Sequence, residues 1–131
     1  VTKDGGAIMV AFLSVHAILF DNYLQNNLCA GIEENFTEDY QVKHFAEQLF
    51  TGFNVDEFEA LLGNKPVEWI TTVATDSVLE LAEGRGDFAM SDEDFRVFAR
   101  YHLHNCEKRE LLGCSSHLLY VCRKCSKATL L

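Results

Sequence analysis

A chain of 131 residues that is 48% hydrophobic, with ten Phe and one Pro, has the composition of a single globular domain and not of a disordered segment. Its net charge of −9 is unevenly spread, with residues 1–100 summing to −12 and residues 101–131 to +3. Such an acidic body repels nucleic acid and anionic membranes, and three net positive charges in the tail are too few for a nucleic-acid site.

The first residue is Val1, which leads us to expect a fragment or processed chain forming one helical domain over residues 1–131. Residues 7–20 (AIMVAFLSVHAILF) are apolar except for Ser14 and His16. They fall short of the roughly 20 residues needed to cross a bilayer, so they predict a buried core helix. Residues 37–53 place Val42, Phe45, Ala46, Leu49, Phe50 and Phe53 on one helical stripe, with Asn35 or Thr37 as cap and Gly52 as stop. Asn54 and Glu57 form a capping-box pattern ahead of a short helix that Gly63 ends. Pro66 suits the first turn of a further helix with Trp69, Ile70, Val73, Ser77 and Leu81 on its buried face and Gly84 as its stop.

Ser91 and Asp94 open the next helix, whose stripe is Phe95, Phe98, Ala99, His102, Leu103 and Cys106. Residues 118–125 are apolar and poor in β-branched residues, so helix is preferred over strand. The expected fold is all-α, a compact bundle of five to six helices.

Residues 83–94 read as a twelve-residue calcium loop with Glu83, Arg85, Asp87, the Ala89 carbonyl, Ser91 and Asp94 at the ligand positions and Met90 at the apolar one. Phe53 to Phe58 look like the end of a partner loop, 37 residues earlier. Together these resemble a degenerate member of the EF-hand superfamily, similar to the sarcoplasmic calcium-binding proteins. The departures are Arg85 in a ligand position, Phe88 in place of the turn glycine and Asp94 in place of Glu. The resemblance therefore implies a calcium-silent relic, a degenerate EF-hand pair in outline, with Glu83, Asp87, Ser91 and Asp94 as the residual calcium ligands. The competing reading is an unrelated bundle whose helices begin with acidic caps.

Four of the five cysteines and three of the five histidines fall within residues 102–125. Cys114-x-x-His117 and Cys122-x-x-Cys125 have the short spacing of zinc ligands, which makes Cys114, His117, Cys122 and Cys125 the candidate zinc set. Buried free thiols and disulfides are the alternatives, and the odd cysteine count points to a reducing, intracellular (cytoplasmic) compartment. Cys106 with His102 or His104 as base is the candidate for a cysteine-dependent enzyme. Arg85-Gly86-Asp87 and the glycosylation sequon at Asn35 are read as chance matches outside a secreted context.

The function expected is a non-enzymatic binding or regulatory module that offers an apolar groove to a protein partner or hydrophobic ligand. No cofactor is expected on this reading, with zinc ahead of calcium among the metals to test. A zinc-stabilised interaction domain is the alternative, and a cysteine-dependent enzyme the second alternative.

Overall fold

The computed structural model describes residues 2–26, 30–47 and 49–125, with side chains at 21–26, 30 and 31 outside that description. The chain is a mixed α/β fold and not an all-α bundle. A curled four-stranded sheet with the order β2-β1-β4-β3 lies at its centre. The strands are β1 (Ala7–Ser14), β2 (Gly52–Phe53), β3 (Val67–Ala74) and β4 (His117–Lys124). The helices are α1 (Val15–Asn26), α2 (Ala30–Asn35), α3 (Val55–Gly63), α4 (Ser77–Glu83), α5 (Asp92–Asn105) and α6 (Arg109–Leu112). β2 runs parallel to β1, while β4 is antiparallel to both β1 and β3.

The apolar stretch at residues 7–20, expected as one helix, is β1 followed directly by α1. Register shows why the strand is stable. Ile8, Val10 and Phe12 lie opposite Cys122, Tyr120 and Leu118, so one row from each strand faces the same core. The segment at 118–125, expected as helix, supplies that partner row as β4. The helix expected from Pro66 is instead β3 and then α4, joined at residues 75–76. A bulge between Trp69 and Thr71 shifts the β3 register, leaving Thr72 and Ala74 opposite Tyr120 and Leu118.

Among the described residues, 37–53 form no helix, contrary to expectation. Thr37 N–H donates to the Gln41 carbonyl at 2.9 Å, and Gln41 N–H donates to Thr37 Oγ1 at 3.0 Å. Tyr40 sits at φ 60°, which interrupts a right-handed helix. Phe36 then forms an isolated bridge to Val42. Gly52, expected as a helix stop, lets β2 pass the start of α1: a Cβ there would lie 2.8 Å from Val15 Cβ.

The core forms where α3 and α6 cover one sheet face, with Phe12, Phe58, Ala74, Leu112, Leu118, Tyr120 and Cys122 buried. Phe58 stacks on Phe12 with ring centroids 3.9 Å apart and meets Phe53 and Tyr120 edge-on. Arg109 ties α6 to α3 through Glu59 at 2.8 Å and through Asp56, and Thr72 of β3 donates to the same Glu59 at 2.5 Å. Among the described residues, no helix is long and apolar enough to cross a membrane.

Candidate functional site

Three elements meet where β3 ends and β4 begins. Ala74 pairs with Leu118, so Asp76, two residues beyond β3, lies beside His117. α4 then starts at Ser77, and Glu80 lies four residues after Asp76, which returns it to the same side. Ser77 adopts φ 57°, a conformation that side-chain-bearing residues seldom take. Its N–H donates to Ser115 Oγ at 3.1 Å, which fixes that turn against the strand.

The side chains converge closely. His117 Nδ1 donates to Asp76 Oδ2 at 2.6 Å and lies 3.5 Å from Glu80 Oε1. Ser115 Oγ hydrogen-bonds Asp76 Oδ1, and the His117 backbone N–H donates to the same oxygen at 3.3 Å. Ser116 Oγ hydrogen-bonds Glu80 Oε2 and lies 3.4 Å from Asp76 Oδ2. Both serines are buried and both carboxylates partly so, while the His117 side chain is 54% exposed. Burial by itself raises the pKa of Asp76, but hydrogen bonds with Ser115, Glu80 and His117 outweigh it and hold its carboxyl below the ordinary value.

A Ser, a His and an Asp in contact invite comparison with a hydrolytic triad, and the geometry fails it. Ser116 Oγ lies 3.2 Å from His117 Nδ1, the same nitrogen that meets Asp76. A proton relay needs the hydroxyl on one ring nitrogen and the acid on the other. The arrangement suits holding a proton or a cation instead. Asp76, Glu80 and His117 are also the one group of three metal-ligating side chains found among the described residues, with ligand atoms all within 4.8 Å of one another.

The cluster closes one end of a groove of about 470 Å³ between α4 and α5. Leu79, Phe95, Phe98, Ala99 and Leu103 give it apolar walls, while Asp76, Glu80 and Glu83 make its polar lining acidic. His102 also lines it, stacked on Phe98 with centroids 6.1 Å apart.

The residues expected as calcium ligands are engaged as parts of a turn and a helix start. Glu83 is the last residue of α4. Arg85 grips both oxygens of Asp87, at 2.9 and 2.8 Å. Ser91 caps α5, accepting from Asp94 N–H at 3.1 Å and donating to Asp94 Oδ2 at 2.6 Å.

The expected zinc set is spread along β4. His117 and Cys122 are five residues apart, which places them on opposite faces and separated by roughly 17 Å of strand. Cys122 is buried in the core, Cys114 precedes the strand and Cys125 follows it, both half-buried. These three and Cys106 are free thiols, and Cys29 lies outside the described residues. Cys106 caps the C-terminus of α5, with its Sγ 3.6 Å from the Leu103 carbonyl.

Of the residues singled out from the sequence as metal ligands, His117 and Glu83 line the groove, and His117 meets carboxylates where cysteines were expected. Asp76 and Glu80 were not foreseen. Their only local signal is a pair of acids four residues apart. No protein-family model matches this chain, and no curated protein matches it.

Proposed function

We propose that the protein is a non-enzymatic binding module whose α4–α5 groove takes an apolar segment of a protein partner that carries a basic residue. The observation that carries this reading is the mixed lining of the groove, apolar on its walls and acidic in its polar part. α5 buries only Asn105 among its residues and leaves Phe95 51% and Leu103 75% exposed, apolar surface of the kind a partner covers. The acidic lining, on a chain of net charge −9, favours a cationic partner over an anionic one. The way Ser116 and Asp76 share one nitrogen of His117 supports binding over nucleophilic catalysis.

The test is a calorimetric titration with two synthetic amphipathic helical peptides that share one leucine face and differ in carrying Lys or Glu beside it. The Lys peptide binds, its affinity falls with added salt, and Leu103→Glu weakens it by more than about tenfold, on the order of 1.4 kcal/mol. Failure of both peptides to bind, or binding of the Lys peptide that ignores Leu103→Glu, would sink the reading.

A further inference from the structure

We propose that Asp76 Oδ2, Glu80 Oε1 and His117 Nδ1 form a binding site for one divalent transition-metal ion of the zinc type at the end of the groove. The ion and a partner's basic residue compete for Asp76 and Glu80, so the site is tested without peptide present.

The first support is how the ligands are oriented. Each carboxylate has one oxygen held by a serine, Asp76 Oδ1 by Ser115 and Glu80 Oε2 by Ser116. The other oxygens, Asp76 Oδ2 and Glu80 Oε1, both face His117 Nδ1, at 2.6 and 3.5 Å, and Ser116 Oγ, 3.4 Å from Asp76 Oδ2 and 3.2 Å from His117 Nδ1, gives up those two longer contacts when an ion binds. Metal ligands are commonly aimed in this way by hydrogen bonds to the atoms that do not touch the ion. Both serines are buried just ahead of β4, so the aim is set by the fold and not by free side-chain rotation.

The second support is spacing. Bonds of about 2.1 Å at a tetrahedral ion put neighbouring ligand atoms roughly 3.4 Å apart. The Glu80–His117 separation of 3.5 Å already meets that edge. The Asp76–His117 pair, at 2.6 Å, is at hydrogen-bond distance and opens by less than about 1 Å on binding. In that step the proton on His117 Nδ1 moves to Nε2 of the same ring, so the imidazole binds neutral and Nδ1 becomes the donor.

The third support is chemical type. Two carboxylates beside one imidazole keep a negative balance even when the imidazole is protonated, and a divalent ion offsets it. One nitrogen and two oxygens suit zinc, cobalt or manganese better than calcium or magnesium, which prefer oxygen alone, or copper(I), which prefers thiolate. The three ligands come from the β3–α4 turn, α4 and β4. With His117 more than half exposed, the site is open to a water as further ligand.

The test uses the untagged full chain, stripped with chelator and titrated with cobalt(II) and then zinc under reducing conditions, followed by visible absorption and native mass spectrometry. We expect one bound ion, cobalt ligand-field bands, and no sulfur-to-cobalt charge-transfer band in the near ultraviolet. His117→Ala and Glu80→Gln should each weaken binding by at least about 100-fold, and Ser116→Ala, which keeps all three ligands, by about 10- to 100-fold. The Cys122→Ser/Cys125→Ser double variant should bind as the parent does. Circular dichroism checks that each variant is folded, and Ser116→Ala carries the test should a ligand variant not fold. No bound ion, a thiolate charge-transfer band, or affinity unchanged in Glu80→Gln and Ser116→Ala would each overturn the proposal.

Discussion

Ser115→Ala is the most informative single change, because one buried hydroxyl links β4 to the start of α4. Ser115 is fully buried. Its Oγ accepts from Ser77 N–H at 3.1 Å and from Asp76 N–H at 3.3 Å, and it hydrogen-bonds Asp76 Oδ1. The His117 carbonyl, 2.6 Å away, also accepts from Thr75 through its N–H and its hydroxyl, so that carbonyl stays satisfied without Ser115. Removing Oγ leaves the Ser77 N–H buried without this acceptor, at a cost of roughly 1–3 kcal/mol. The Asp76 groups recover part of their loss through water, because that side chain is 23% exposed. The total is roughly 2–4 kcal/mol, or about 10 °C in Tm for a domain of this size. Ser116→Ala is the control. It removes a partner from Glu80, whose side chain is 30% exposed, and should cost only about 1 kcal/mol. Urea unfolding followed by circular dichroism measures both, with the slope unchanged if the native state keeps its compactness. A Ser115→Ala loss below about 0.5 kcal/mol, or equal losses for the two serines, refutes the claim that the turn hangs on Ser115.

Two further outcomes follow from the core. Phe58 is 6% exposed and packs against the rings of Phe12, Phe53 and Tyr120, so Phe58→Ala should destabilise by about 3–5 kcal/mol in the same urea assay, and a loss under about 1 kcal/mol would mean that α3 does not sit on this sheet face. Burial, and then the neighbouring Cys125, push the Cys122 thiol above its ordinary value. Iodoacetamide at neutral pH should therefore leave Cys122 unmodified until urea unfolds the protein, as read by peptide mass spectrometry, and rapid labelling of folded protein would contradict its placement in the core.

The helix starts were legible where the signal was local. Asn54 stands at the N-cap of α3, Gly63 is its last residue, Gly84 follows α4, and Ser91 caps α5 through Asp94 N–H; the capping box expected of Asn54 and Glu57 is not made, since Asn54 Oδ1 meets His16 and Glu57 meets His44. Capping depends on a few neighbouring residues, so sequence carries it directly. The strands were harder to read for two different reasons. β1 and β4 are apolar on both faces, as Met9 beside Val10 and Leu119 beside Tyr120 show, and such runs lack the alternation that separates strand from buried helix. β3 did carry a signal, since Val67, Ile70, Thr71, Thr72 and Val73 are β-branched, but a helical stripe through Trp69, Ile70 and Val73 masked it. Residues 37–53 show the reverse error: the stripe there is clear, yet the Thr37–Gln41 turn and the left-handed Tyr40 displace the helix.

The cluster at His117 was unreadable for a deeper reason. Its acids lie 41 and 37 residues from the histidine, and no local spacing rule connects them. What connects them is one register, Ala74 opposite Leu118, which becomes available only once both segments are recognised as strands. The short Cys114-x-x-His117 and Cys122-x-x-Cys125 spacings pointed to a thiolate site. In a strand the odd spacing instead sends Cys122 to the opposite face from His117, into the core, and leaves His117 to the carboxylates of the preceding turn. The strand period thus bears on the proposed ligands as well as on the fold: Cys122 is taken up by packing, whereas the carboxylates of the proposed site are held by buried serines. That is why loading with cobalt, whose spectrum separates sulfur from oxygen ligation, discriminates between the two readings more sharply than affinity alone.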